Sequence, residues 1–165
     1  MASGYIKRVI LGEQRGLGAW LILALLWPFS LIYRIGLAVY LWLYDSGLRK
    51  RAKLPVPVVS VGNLTFGGTG KTPAVQELCR MLGAAGKKVV VLSRGYGGSA
   101  GGPLVVSDGE NILTDSLAAG DEPVLLAQTL PGVPVIVGKD RRRSGKLALK
   151  HFEPDVIVLD DGLQY

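Results

Sequence analysis

Residues 58–72, Val58-Val59-Ser60-Val61-Gly62-Asn63-Leu64-Thr65-Phe66-Gly67-Gly68-Thr69-Gly70-Lys71-Thr72, run from β-branched residues into glycines and end on a lysine and a threonine. That order is a strand, a glycine loop and a helix start. Such a loop offers main-chain N–H groups to phosphate at the positive end of a helix. The window from Thr65 to Thr72 fits G-x-x-x-x-G-K-[ST] except at its first position, where Thr65 stands for glycine. Gly67, Gly68 and Gly70 still allow positive φ and close backbone approach. On this reading Thr65, Phe66, Gly67, Gly68, Thr69, Gly70, Lys71 and Thr72 bind a nucleotide. Lys71 reaches the β- and γ-phosphates and also assists catalysis, while the Thr72 hydroxyl ligates Mg²⁺.

Working outward, Val58–Val61 reads as a buried strand and Lys71–Ala85 as a helix, with Val75, Leu78, Cys79 and Leu82 on one face. Pro73 falls in the first turn, where a missing N–H costs nothing. Lys88–Ser93, Val133–Val137 and Val156–Leu159 read as further strands, and Asp121–Leu130 and Arg141–His151 as helices. Leu104–Val106 and Asn111–Leu113 flank a turn containing Asp108-Gly109, a hairpin signal. Strands alternating with helices predict an α/β, P-loop NTPase-like, three-layer, mostly parallel sheet. The final strand has no helix after it, so the sheet is expected to be incomplete at the C-terminus.

Val156-Ile157-Val158-Leu159-Asp160-Asp161 carries apolar residues into a carboxylate, the arrangement that delivers an acid to a nucleotide-bound metal. Asp160 is expected to be the metal-side acid, with Asp161 holding a metal-bound water or a second metal position. Gly120-Asp121-Glu122-Pro123 has two readings. In one, Asp121 caps a helix, Glu122 favours its dipole and Pro123 fits its first turn. In the other, Asp121 accepts a proton from an attacking hydroxyl. Arg94, in Ser93-Arg94-Gly95-Tyr96-Gly97-Gly98, and Arg141, first of three arginines, are candidates for substrate phosphate. His151 is given no catalytic part.

Ala19 to Tyr44, "AWLILALLWPFSLIYRIGLAVYLWLY", is long and apolar enough to cross a bilayer. Pro28, Arg34 and basic residues on both flanks favour two helical pieces, broken near Pro28, in one leaflet. The chain thus divides into 1–53, a membrane-docking helical segment, and 54–165, a truncated nucleotide-binding domain. The formal charge is +6, from 19 Lys+Arg and 13 Asp+Glu. The cations cluster beside the apolar segment and at strand ends without interleaved aromatics, which argues against nucleic acid. A single cysteine, Cys79, excludes an internal disulfide framework and fits a reduced compartment.

Together "VGNLTFGGTGKTP", "LSRGYGG", "GDEP", "GKDRR" and "VIVLDDGLQY", behind an apolar amino-terminus, resemble the tetraacyldisaccharide 4'-kinase (lipid A 4'-kinase) family. The resemblance implies phosphorylation, with ATP and Mg²⁺, of the 4'-hydroxyl of a tetraacylated glucosamine disaccharide 1-phosphate, giving lipid IVA. It implies action at the cytoplasmic face of a Gram-negative inner membrane, binding the lipid A disaccharide precursor and the membrane surface; a monomer is expected. It favours docking over spanning for the apolar stretch. By the same resemblance Asp121 falls on the catalytic base, and Lys71, Thr72, Asp160 and Asp161 on nucleotide- and metal-handling positions. The family has His where Tyr165 stands, and a longer chain whose carboxyl-terminal portion supplies a histidine partner for the base. The rival reading is a membrane-tethered nucleotide switch acting on a protein partner.

Overall fold

In a computed structural model the described residues are 8–10, 12–13, 16–48, 53–62 and 70–162. Of the expected site residues, Thr65, Phe66, Gly67, Gly68 and Thr69 lie outside them, as does Tyr165. The chain divides into two compact units, Met1–Arg51 and Ala52–Tyr165.

The first unit contains α1, Leu17–Asp45, a single helix of 29 residues that runs through Pro28. The expected break at Pro28 is absent. Proline removes one main-chain donor, and the Leu- and Ala-rich turns on either side retain theirs. The helix exposes large apolar and aromatic residues along its length, among them Trp20, Trp27, Phe29, Tyr33, Tyr40 and Trp42, with Arg34 the one charged residue between Leu17 and Tyr44. A helix of that kind has no soluble face.

The second unit is a five-stranded sheet: β1 Val58–Val61, β2 Val89–Ser93, β3 Leu104–Ser107, β4 Val135–Val137 and β5 Val156–Asp160. Their spatial order is β1-β5-β2-β4-β3. The first four in that order pair in parallel, and β3 closes the far edge antiparallel to β4. The remaining helices are α2 Lys71–Ala84, α3 Ser116–Ala119, α4 Asp121–Thr129 and α5 Arg141–Phe152.

Strand alternation builds the layers. Val89 and Val91 of β2 join Val135, Val137 and Val158 beneath Val75 and Cys79 of α2 and Leu126 and Ala127 of α4. Val90 and Leu92 turn the other way and meet Ile136, Ile157 and Ala148 of α5. Helices thus cover both faces, as the motif order predicts. One expectation needs correction. Val58–Val61 is not buried: β1 is an edge strand paired with β5, and Val58 and Val59 are exposed. The expected hairpin forms, but only next to its turn. Leu104–Ser107 pairs with β4, and the Asn111–Leu113 arm also closes on it through an antiparallel bridge between Ser107 and Ile112, with Leu113 N donating to Val106 O at 2.8 Å and Asp108 N to Asn111 O at 3.3 Å. The turn itself is real, because Asp108 Oδ1 accepts from the N–H groups of Glu110 and Asn111 at 2.9 and 2.6 Å.

Cys79 is buried in the first layer, and burial pushes its thiol up to about 11. The thiolate is the reactive form. The folded protein is therefore expected to leave a thiol-reactive dye unreacted at pH 8, and to titrate one thiol per chain after denaturation. Prompt labelling of the native protein would show that this layer opens.

Candidate functional site

The carboxyl ends of the parallel strands collect the polar chemistry, as they do in open α/β sheets. Gly70 precedes α2 at φ 74, a left-handed conformation that glycine adopts freely and that turns the chain into the helix. Lys71 and Thr72 then open α2. Lys71 Nζ donates to Asp161 Oδ1 at 2.9 Å, in a pair whose side chains are 25% and 36% exposed. The hydrogen bond to Asp161 raises the Lys71 pKa, against an opposing effect of burial. Lys71 therefore remains a cation within reach of solvent, held at the start of α2.

Thr72 Oγ1 donates to Glu122 Oε1 at 3.0 Å, linking the first turn of α2 to the first turn of α4. Asp160 lies at the end of β5, 2% exposed. Its Oδ2 accepts from Ser93 Oγ at 3.2 Å, and its Oδ1 is buried with no partner among the described residues. Burial first, and the charge of Glu122 second, hold the Asp160 carboxyl above its usual range. The two aspartates diverge because Asp161 sits at φ 56, in the left-handed region. Asp160 points inward to Ser93, and Asp161 reaches Lys71.

A buried carboxylate with one orphaned oxygen is costly unless a cation or a proton answers it. Among the described residues no three His, Cys, Asp or Glu side chains converge to hold an ion by themselves. Mg²⁺ does not require such a cage, because nucleotide-linked Mg²⁺ uses one or two carboxylates, water and phosphate oxygens. Asp160, the Thr72 hydroxyl and neighbouring Glu122 are donors of that hard, oxygen-only kind. The residues fit the ion.

Asp121 is the first residue of α4 and is exposed. It does not cap the helix: Gly120 holds the cap position, and no side-chain cap bond is made. Asp115 instead caps α3 by accepting from Ala118 N. Gly120 is at φ 92, and a Cβ there would collide with the carbonyl oxygen of Tyr96. The 95–100 loop is laced to the same segment by Ser99 N donating to Leu117 O and Ala100 N to Ala118 O. Two constraints thus fix the residue before Asp121. Gly120→Ala is expected to cost about 2 kcal/mol, the scale of strained backbone placement. Urea denaturation measures it, and an unchanged midpoint would show that the loop contact is dispensable.

Of the remaining candidates, Arg94 is exposed directly after β2. Arg141 Nη2 donates to the main-chain oxygen of Asp160 at 2.9 Å. Sequence reasoning missed Glu122 and Ser93 as members of this cluster. Glu122 read as a dipole-favouring residue, and nothing local shows that it faces a threonine 50 residues earlier.

The family model for tetraacyldisaccharide-1-P 4'-kinase, LpxK, matches residues 22–165. The chain belongs to the LpxK family. It is 48% identical to a tetraacyldisaccharide 4'-kinase of Pelobacter propionicus over 162 residues, 98% of this chain and 45% of that protein. A Geobacter sulfurreducens protein of the same name is 46% identical over 164 residues, 99% of this chain and 46% of its own. The chain therefore spans less than half the length of these LpxK relatives. A crystal structure of LpxK from Aquifex aeolicus in complex with ATP superimposes with a TM-score of 0.76 at 46% identity. That likeness covers 86% of this chain and 44% of the Aquifex LpxK chain.

Proposed function

We propose that this chain is the nucleotide-handling portion of an ATP-dependent lipid kinase. The reaction is transfer of the γ-phosphoryl group to the 4'-hydroxyl of a tetraacylated glucosamine disaccharide 1-phosphate, forming lipid IVA. The observation that carries the reading is the cluster of Lys71, Thr72, Glu122, Asp160 and Asp161 at one sheet edge, in a chain of the LpxK family.

Phosphoryl transfer asks for positioning and charge neutralisation more than for covalent chemistry. Lys71, now paired with Asp161, exchanges that carboxylate for the β- and γ-phosphates when nucleotide enters. Main-chain N–H groups at the start of α2 add the positive end of a helix dipole. Asp160 and Thr72 would hold Mg²⁺, with Asp161 and Glu122 as further oxygen donors beside it, and the ion when bound would supply neutralisation of charge on the transferring group. Asp121 takes the proton of the sugar hydroxyl from its exposed place at the start of α4. Arg94 meets an acceptor phosphate beside β2.

The protein works as a monomer on the cytoplasmic face of the inner membrane, with α1 seated in the leaflet that holds the acyl chains. At about 1.5 Å per residue, the 29 residues of α1 exceed a bilayer's apolar thickness. Its exposed tryptophans and tyrosines suit headgroup depth. Deleting residues 1–53 from the full-length protein is expected to move it from the membrane to the soluble fraction. Extraction of the intact protein by alkaline carbonate identifies docking, and resistance to it identifies a span.

Transfer of labelled γ-phosphate from ATP to the lipid disaccharide tests the activity in the full-length protein. Transfer that requires the acylated glycan supports the reading. Hydrolysis coupled to capture of a protein, with no glycan phosphorylated, would replace it with a nucleotide switch.

A further inference from the structure

Arg141 opens α5 and was expected to face substrate phosphate, but its guanidinium lies on main chain. Nη2 donates to the carbonyl oxygen of Asp160 at 2.9 Å, and Nη1 to that of Gly138 at 3.4 Å. Gly138 follows β4 and Asp160 ends β5, and these two strands flank β2 without touching each other. One planar fork therefore spans the carboxyl end of β2, next to the Ser93 hydroxyl that binds Asp160.

The start of α5 is built to hold the arginine there. Asp140 caps the helix by accepting from Arg142 N. Gly138 leaves no room for a Cβ against Ser144 Oγ, so the first turn sits tight on the end of β4. The bond to Asp160 also falls at a demanding point, since the next residue, Asp161, is a non-glycine at φ 56. A carbonyl fixed at the peptide entering that turn keeps the two aspartates pointing apart, Asp160 to Ser93 and Asp161 to Lys71.

We propose that Arg141 is a positioning residue: it braces the Asp160 carbonyl so that the paired aspartates present their carboxylates in two directions, and it acts on the metal–nucleotide complex through them and not by binding phosphate itself. The proposal rests on the kinase reading only for which activity is measured.

The test uses the full-length enzyme with Arg141→Gln and Arg141→Lys. Lysine keeps the charge and loses the fork, so a phosphate ligand would be largely restored by it and a brace would not. Outer-sphere partners of this kind govern metal affinity by about tenfold or more. Both variants are expected to raise the Mg²⁺ concentration for half-maximal rate about tenfold and to lower kcat, with KM for the lipid acceptor unchanged. Independently of catalysis, Mn²⁺ binding to the enzyme–ATP complex, read by electron paramagnetic resonance, is expected to weaken by the same factor. A raised acceptor KM with unchanged Mg²⁺ and Mn²⁺ dependence would overturn the proposal, as would rescue by lysine or no change in any parameter. If the wild-type enzyme transfers no phosphate to the glycan, the kinase reading fails, and the Mn²⁺ titration still decides the brace.

Discussion

Asp121→Asn in the full-length protein is expected to lower kcat for transfer to the lipid disaccharide about 10³-fold, within the range for general bases, and to leave KM for ATP unchanged. The argument is positional. Asp121 begins α4 with an exposed side chain that caps nothing, so it is not committed to holding the helix start. Its backbone is nonetheless fixed, because Gly120 abuts the Tyr96 carbonyl and neighbouring main chain is laced to residues 99–100. A carboxylate that is rigidly mounted and makes no bond among the described residues suits proton abstraction. Asparagine preserves its shape and removes its basicity. Steady-state kinetics with both substrates varied separates the outcomes: a fall in kcat of less than twofold would remove Asp121 from the chemistry, and a rise in KM for ATP alone would make it a nucleotide contact.

Asp160→Asn is expected to act in opposite directions on activity and stability. Transfer falls about 10²–10³-fold, because a group that holds charge in place at the reacting centre is lost. The nucleotide-free protein meanwhile becomes more stable at neutral pH. Asp160 is 2% exposed, one of its oxygens has no partner among the described residues, and its pKa is raised above the ordinary carboxylate value. A raised pKa means that the folded state holds the proton more tightly than the unfolded chain does. The cost of the buried charge is therefore absent below the ordinary carboxylate range and grows as pH rises from that range through the folded-state pKa. Removing the charge is expected to raise Tm at pH 7 by about 3 °C, the effect of about 1 kcal/mol in a protein of this size. The gain should vanish near pH 3. Thermal scans of the variant and the parent across pH check both parts, and a variant less stable than its parent at pH 7 would show that Asp160 has a favourable partner in the folded protein.

Much of the second unit was readable from sequence because its signals are local. Apolar runs such as Val89–Leu92 stand between Lys88 and Ser93, with Gly86 and Gly95 just beyond, and the expected helix at 71–85 ends one residue from the observed one. What failed depended on tertiary competition. The hairpin signal at Leu104–Leu113 holds only beside the turn, and nothing local shows that Leu104–Ser107 takes β4 as its partner across the sheet. Val58–Val61 has the composition of a buried strand, but composition does not say which strand lies at the edge. Pro28 read as a break because its local cost was weighed without the 29-residue apolar helix around it.

The site divided in the same way. Lys71, Thr72, Asp160 and Asp161 announce themselves by spacing within short motifs. Glu122 enters because the fold brings α4 against the start of α2, and no periodicity encodes that meeting. Arg141 was visible as a cation at a helix start, but a bond to a main-chain carbonyl 19 residues later leaves no trace in residue type.

The central claim is that a metal-bound triphosphate sits between the start of α2 and the paired aspartates. Crystals of the full-length protein grown with a non-hydrolysable ATP analogue and Mn²⁺ test it through the anomalous signal of the metal. The expected result is a single Mn²⁺ peak within coordinating distance of Asp160 and Thr72 Oγ1, with Lys71 turned from Asp161 to the phosphates. A peak elsewhere, or a triphosphate bound with Lys71 still paired to Asp161, would contradict it.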